Sequence, residues 1–188
     1  MRSLMLRFPK PYADLVARLR VPSGFLIVAA FAWFSHPTAG SLEIGLPVCV
    51  LGLGIRAWAA GCLAKNQRLA TGGPYAHTRN PLYLGTLLVA AGLTVAARSP
   101  GLGASFACVF VLVYLPVIQN EEAYLRVLFP EDYAAYAAVV PLLWPRLTAF
   151  PQRKPHPFQL ALYLRNQEYN AGVGFAAGLL LLLWKLGR

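Results

Sequence analysis

Long runs without a charged residue constrain this chain more than any other feature of its sequence. The runs lie at residues 21–42, 44–64, 80–97, 99–120 and 169–184. Only the second contains a charge, Arg56. Each run is close to the roughly 17–25 residues that cross the hydrocarbon core of a bilayer as a helix. The pattern predicts an all-α, polytopic integral membrane bundle with about five transmembrane helices, or four if the short last run does not cross.

The composition agrees with a lipid solvent. Hydrophobic residues make up 57% of the 188 residues and charged residues 13%, against about 45–50% and about 25% in soluble domains. A cytosolic globular domain is therefore nearly excluded. The length predicts one domain, 1–188, in which residues 72–147 carry the polar motifs and residues 148–188 supply a linker, an interfacial helix and the last transmembrane helix.

The basic residues indicate an orientation. Most of the 17 lysines and arginines precede the first run, separate the second from the third, or follow the fourth. Cytoplasmic loops of membrane proteins are basic in this way. We therefore expect an inner or plasma membrane protein with a cytoplasmic N-terminus, a C-terminus on the far side, and no cleaved signal peptide. The net charge of +10 does not indicate nucleic acid, because no basic recognition motif is present.

Cysteine and histidine do not predict a metal site. The three cysteines and the three histidines do not have the spacing of zinc ligands. They are Cys49, Cys62, Cys108, His36, His77 and His156. Arg56 has two interpretations. A charge inside a span marks a functional site by default, here a substrate-binding one, but this arginine also lies near enough to the cytoplasmic end to snorkel.

Two segments on the predicted cytoplasmic side do not resemble passive loops. Residues 72–85 contain glycines and prolines that fix a turn, and Pro81 stands where a helix can begin. Glu121 and Glu122 stand where the fourth span runs on into a polar helix without a breaker. Both segments predict polar groups gathered at one face of the bundle.

These blocks, together with the later tyrosines and prolines, resemble the isoprenylcysteine carboxyl methyltransferase family, whose cofactor pattern is shared by phospholipid methyltransferases. The resemblance rests on 73–75, 79–85, Glu121-Glu122, 129–136 and Val140-Pro141. It covers residues 72–147, and the ordered combination is more specific than any single block. One position departs from the pattern: the isoprenylcysteine enzymes usually have histidine where this chain has Asn80, while phospholipid methyltransferases often have asparagine.

The resemblance implies a membrane methyltransferase that binds S-adenosylmethionine at the cytoplasmic face and methylates a lipid-like substrate from the bilayer. The residues implied to bind the cofactor are Gly73, Tyr75, His77, Arg79, Asn80, Pro81, Tyr83, Leu84, Glu121, Glu122 and Tyr136. Among them Arg79, Asn80 and Glu121 are the catalytic candidates. The acceptor is expected to be a membrane lipid or a prenylated or otherwise lipidated small molecule, and a monomer is favoured.

The residue types also suit this cofactor chemically. Its ammonium needs a carboxylate, its carboxylate needs a cation or free N–H groups, and its purine needs an aromatic slot. Either Glu121 or Glu122, Arg79 at the start of the third span, and the tyrosines supply that set. A carboxylate acceptor needs no base, whereas an amine acceptor needs one, for which His77 or a glutamate is available.

The two glutamates are about 100° apart on one helix, so we expect only one of them to face the cofactor. Glu121 is favoured, because Arg126 is placed one turn beyond Glu122 and can pair with it. Considered without the other sequence blocks, the tyrosines would be interpreted as residues of the aromatic belt at the membrane interface and the glutamates as surface charges.

Two other classes of protein remain open from the sequence. One is a small transporter or lipid-binding membrane protein, and the other is a membrane reductase that uses a nicotinamide cofactor. In the last run, Gly174 and Gly178 predict close approach of another helix, from this bundle in preference to a dimer partner. Residues 158–169 mix apolar and polar side chains, which predicts a helix lying at the interface beside a lipid entrance.

Overall fold

Helices account for the regular structure of this protein in a computed structural model that describes residues 9–151 and 157–187. No strand occurs within these ranges. The helices are α1 (Lys10–Phe34), α2 (Ala39–Cys62), α3 (Pro81–Ala97), α4 (Pro100–Val109), α5 (Leu115–Leu128), α6 (Pro130–Val139), α7 (Leu160–Arg165) and α8 (Tyr169–Leu186). A 3₁₀ turn at Gly73–Ala76 precedes α3, and a π-helical turn at Phe110–Tyr114 joins α4 to α5.

The predicted all-α membrane bundle is confirmed. Among the described residues, three helical stretches are long and apolar enough to cross a membrane: Ala39–Cys62, Pro100–Leu128 and Tyr169–Leu186. The other two predicted spans correspond to the shorter apolar helices Gly24–Phe34 and Pro81–Ala97. The first predicted span, 21–42, is interrupted because α1 ends at Phe34 and α2 begins at Ala39. Residues 152–156, which belong to the linker predicted within residues 148–188, lie outside the described residues.

One face of the bundle, here called the turn face, collects the ends of α1, α3 and α8 and the starts of α2 and α4. The His36 amide donates to the Ala97 carbonyl over 2.8 Å, and the Ser41 hydroxyl donates to the Ala96 carbonyl over 2.9 Å. The Lys185 ammonium donates to the Ser35 carbonyl over 2.9 Å. The end of α2 and the starts of α3 and α8 form the opposite face, here called the site face. Its cytoplasmic placement stays a prediction.

Helices α2 and α3 pack backbone against backbone. A Cβ added to Gly45 would lie 2.4 Å from the Gly92 carbonyl oxygen, and one added to Gly52 would lie 2.7 Å from the Gly85 carbonyl oxygen. Distances this short leave no room for a side chain. Small residues permit such close approach in membranes, where association depends on van der Waals packing between helices.

The close contact predicted for α8 is wrong within the described part of the chain. A Cβ on Gly174 would meet nothing within 4 Å, and one on Gly178 would meet only a Phe31 ring carbon at 3.9 Å. The small-residue interface lies between α2 and α3 instead. A spacing of two glycines thus does not identify the interface when several helices carry small residues.

We expect Gly92→Ala to destabilise the protein by about 1–3 kcal/mol, the usual cost of overpacking, because the new methyl meets the Cys49 sulfur and the Gly45 carbonyl. The control is Gly54→Ala, since a Cβ on Gly54 meets nothing within 4 Å. Unfolding of both variants by SDS in mixed micelles measures the difference. Equal midpoints for the two variants would contradict the tight α2–α3 contact.

Candidate active site

A cavity of about 630 Å³ opens at the site face, between α2, α3, α5, α6 and the start of α8. This volume lies within the usual range for small-molecule sites. Nine of the twelve residues predicted to form the site line the cavity: Arg56, Tyr75, Arg79, Asn80, Pro81, Tyr83, Glu121, Glu122 and Tyr136. The fold thus brings together the separate sequence blocks.

The other three predicted residues do not line the cavity. Gly73 adopts a left-handed φ of 56° at the 3₁₀ turn, and a Cβ there would lie 2.8 Å from the Cys62 sulfur. His77 places Nδ1 2.8 Å from the Arg146 carbonyl oxygen. Leu84 lies on α3 outside the lining. The structure therefore gives Gly73 and His77 contacts that shape the loop, and it does not place His77 where a base would act.

The floor of the cavity is an irregular loop held by a second irregular segment. The Arg79 amide donates to the Pro141 carbonyl and the Arg146 amide donates to the His77 carbonyl, each over 2.9 Å. The Asn80 side-chain amide donates to the Leu142 carbonyl over 3.1 Å. These bonds fix the start of α3, where Pro81 occupies a first-turn position that needs no N–H partner.

An ion pair joins this loop to α5. Arg79 Nε lies 2.8 Å from Glu122 Oε1, with only 7% and 11% of the two side chains exposed. A second nitrogen of Arg79, Nη1, donates to the Ala137 carbonyl over 3.0 Å. The buried arginine and the buried glutamate therefore neutralise each other and tie the loop to α5 and α6.

The predicted pairing of Glu122 with Arg126 is wrong. The Arg126 guanidinium carbon lies 5.0 Å from the ring centroid of Tyr133, in the range of a cation–π contact. Glu122 pairs with Arg79 instead. The local i to i+4 rule did not predict a partner that comes from a distant loop.

Both glutamates line the same cavity, so the expectation that only one would face it is also wrong. Glu121 Oε1 accepts a hydrogen bond of 3.0 Å from the Tyr83 hydroxyl. The Tyr83 ring meets the Tyr114 ring edge-on, with centroids 5.9 Å apart. The cavity is therefore wide enough for two adjacent positions of one helix to contribute to its lining.

The helix that carries these glutamates has an irregular turn before them. At the π turn, the Leu115 amide donates to the Phe110 carbonyl, five residues back. Pro116 then lacks the N–H that would bond the Leu112 carbonyl, and this carbonyl accepts the Tyr12 hydroxyl over 2.8 Å instead. Membrane helices tolerate proline where a neighbouring helix satisfies the freed carbonyl in this way. Such π turns are frequent at functional sites.

Arg56 neither snorkels nor stands alone. Its Nε and Nη2 contact the two carboxylate oxygens of Glu168 at 2.6 and 3.1 Å. Its Nη1 donates to the Leu82 carbonyl and to the Thr86 hydroxyl. Arg56 thus joins α2, α3 and the start of α8, and it lines the cavity as a fixed charge.

Sequence reasoning missed several lining residues, of which Arg68 matters most. Its Nε is buried and has no hydrogen-bond partner among the described residues, and the side chain lines the cavity. Glu168, Lys65 and Tyr114 also line it. The basic residues of this loop indicate only an orientation when the sequence is considered alone, although a loop between a predicted span and a predicted site is where cavity residues are expected.

Three tyrosines near the floor keep their protons at neutral pH. Burial raises the pKa of the Tyr75, Tyr133 and Tyr136 hydroxyls well above the usual range, and Glu122 adds to the effect at Tyr133. The Tyr136 hydroxyl donates to the Tyr75 carbonyl over 2.7 Å. Tyr136 therefore acts as a hydrogen-bond donor, and the three neutral tyrosines form walls of the cavity and are not bases. Within residues 9–151 and 157–187, no group of three histidines, cysteines or acids is placed to hold a metal.

A comparison with family models matches the central part of the chain. Residues 46–132 match the model of the phospholipid methyltransferase family. The matched region runs from α2 to the start of α6 and carries most of the cavity. The match confirms the resemblance that the sequence motifs indicate and supports the class of membrane methyltransferases.

Two relatives of this chain are named as metal-resistance proteins, not as methyltransferases. The cobalt-zinc-cadmium resistance protein CzcN of Cupriavidus metallidurans is 34% identical over 125 residues, which are 65% of this chain and 56% of that protein. The nickel-cobalt-cadmium resistance protein NccN of Alcaligenes xylosoxydans xylosoxydans is 32% identical over 136 residues, 71% of this chain and 62% of that protein. The chain therefore spans less than two thirds of each relative. No solved structure matches it.

Arg79→Ala is expected to destabilise the protein by about 3–5 kcal/mol, because Glu122 would stay buried without its counter-charge. Arg126→Ala removes an arginine that does not touch this pair and should cost about 0.5–1 kcal/mol. SDS-induced unfolding of the two variants measures both costs. A cost for Arg79→Ala no greater than for Arg126→Ala would contradict the structural role of the pair.

Proposed function

We propose that this chain is a methyltransferase that uses S-adenosylmethionine to methylate a lipid-like acceptor at the membrane boundary. The observation that carries the proposal is the cavity, which collects cations, carboxylates and tyrosines in the region that matches a methyltransferase family. It lies at one end of apolar helices, where a polar cofactor and an apolar acceptor can both arrive. The two relatives are named as metal-resistance proteins, but these names do not assign a metal site to this chain.

The residues present fit the cofactor. Its carboxylate needs a cation, and Arg68 Nε is a buried donor that has no partner in the described structure. Arg79 is held by Glu122, so Arg68 takes the role that the sequence had suggested for Arg79. The cofactor's ammonium needs a carboxylate, and Glu121 lines the same cavity. Tyr75 and Leu69 offer an apolar surface for the purine.

When bound, S-adenosylmethionine supplies an electrophilic methyl group on a sulfonium. The chain's own part is to bind, align and exclude water, because an in-line displacement needs orientation more than a reactive side chain. Tyr83 and Glu121 hold each other by a hydrogen bond, which fixes the carboxylate before any ligand arrives. The two ion pairs keep the neighbouring walls in place. A low-dielectric cavity also favours a step in which opposite charges cancel.

Two acceptors fit this arrangement. A carboxylate acceptor needs no base and carries a charge that cancels with the sulfonium, so carboxyl O-methylation is our first candidate. A phospholipid amine is the second, since residues 46–132 match the phospholipid methyltransferase model. A base for this acceptor would have to be a glutamate of the lining, because His77 does not line the cavity.

Arg68→Gln and Glu121→Gln should each weaken S-adenosylmethionine binding by about 10- to 100-fold, the loss of one charge-assisted contact. The control is Arg18→Gln, since Arg18 is exposed on α1 and does not line the cavity. Calorimetric titration of the purified protein measures the affinities. If both cavity variants bind like the parent, the assigned contacts are wrong, and if the parent itself does not bind the cofactor, the proposed function is wrong.

With methyl-labelled S-adenosylmethionine and a bacterial lipid extract, we expect label to enter the lipid fraction. Alkali releases the methyl of a carboxyl ester as volatile methanol but leaves an N-methyl group bound to its nonvolatile headgroup. Volatile label therefore selects the carboxylate acceptor, and retained label selects the amine. Incubation with the Glu121→Gln variant gives the background. Absence of lipid labelling by a parent that binds the cofactor would contradict a lipid acceptor.

A further inference from the structure

A second, smaller cavity lies on the site face between the turn that follows α2 and the end of α7. Its volume is about 360 Å³, and we call it the α2–α7 pocket. Its charged lining consists of Lys65 and Arg165, and no acid lines it. Neither cation forms an ion pair within the described ranges. The pocket therefore offers two positive charges that the chain itself does not neutralise.

The pocket is held in shape by direct bonds between the two segments. The Asn166 side-chain amide donates to the Ala60 and Leu63 carbonyls, each over 2.9 Å. These carbonyls belong to the last turn of α2 and its cap, and the Ala60 carbonyl also accepts the Leu63 amide. The Gln159 amide donates to the Gly61 carbonyl over 2.9 Å. The end of α7 is thus fixed on the end of α2, and the lining cations are carried by anchored segments.

Two residues of the lining have an uncommon backbone conformation. Asn66 has φ 60° and Gln167 has φ 53°, both in the left-handed region, which is unfavourable for residues other than glycine. Asn66 follows Lys65 directly, and Gln167 comes two residues after Arg165. The two turns that present the cations are therefore tightly constrained.

The surroundings of the pocket are apolar and exposed. Leu160 and Leu164 on α7 are 61% and 52% exposed, and Phe158 and Tyr169 at its two sides are also exposed. Leu162 is buried and lines the pocket itself. A short helix with apolar side chains outward and an arginine at its end is suited to the headgroup level of a bilayer. The sequence predicted an interfacial helix in this region.

We propose that the α2–α7 pocket binds the phosphate-bearing headgroup of an anionic bilayer phospholipid. The two unneutralised cations recognise the negative charge, the side-chain amides of the lining residues Asn66 and Gln167 donate to phosphate oxygens, and the exposed leucines contact the acyl chains. Basic pockets between membrane helices bind anionic headgroups in this way. Lys65 and Asn66 line both cavities, so a bound lipid would touch the wall of the larger cavity. The proposal does not depend on methyl transfer.

The test measures the affinity of the purified full chain in nonionic detergent for short-chain phosphatidylglycerol. At about 1 kcal/mol for each cation near a lipid surface, Arg165→Gln should weaken binding about 5-fold and Lys65→Gln with Arg165→Gln about 30-fold. The matched control is Arg18→Gln with Arg98→Gln, which removes the same charge at two exposed arginines outside the pocket. The control should bind like the parent.

Three results would overturn the proposal. The first is a pocket double variant that binds phosphatidylglycerol as tightly as the control double variant. The second is equal affinity of the parent for phosphatidylcholine of the same chain length, which would remove the preference for net negative charge. The third is full competition by inorganic phosphate at the same concentration as the lipid, which would assign the pocket to a free anion. The proposal is supported if only the pocket variants bind phosphatidylglycerol more weakly, and if the parent binds phosphatidylglycerol more tightly than phosphatidylcholine.

Discussion

The backbone contact between α2 and α3 is the interaction on which the rest of the site depends. Hydrophobic burial does not drive helices together in lipid, so the pair depends on close packing. The same contact makes room for the arginine of the cavity wall: a Cβ on Gly85 would lie 2.5 Å from Arg56 Cγ. Because Gly85 has no side chain, Arg56 on α2 reaches the Leu82 carbonyl and the Thr86 hydroxyl on α3.

The two ion pairs, of which Arg79–Glu122 is buried and Arg56–Glu168 partly buried, specify position more than they add stability. Each connects segments that are distant in sequence: Arg56–Glu168 joins α2 to the start of α8, and Arg79–Glu122 joins the loop before α3 to α5. A buried pair gains little net free energy over an apolar replacement, but removing one partner is costly. Alternative packings that separate either pair are therefore penalised, and the cavity walls they hold have one favoured arrangement.

The helices were predictable because each uncharged run, as a helix, has a length close to the thickness of a bilayer. The blocks around Arg79 and Glu121 were predictable because each is contiguous in sequence. Long-range partners were not. Local spacing assigns Glu122 to Arg126, yet the partner is Arg79, and nothing in the spacing of Arg56 indicates Glu168. The π turn before Glu121 also has no sequence signal that hydrophobic periodicity detects. Pairings set by tertiary packing have to be read from the fold.

A polar cavity at the end of a helical bundle needs irregular backbone, and irregular backbone needs partners. Here the partners of the floor come from residues 141–150: Pro141 accepts from Arg79, and the Phe150 amide donates to the Ala76 carbonyl. The family match ends at residue 132, and none of residues 141–150 lines the cavity. The segment that supports the floor therefore lies outside both the matched region and the lining. Substitutions in it should affect the site through the position of Arg79, even though they touch no ligand.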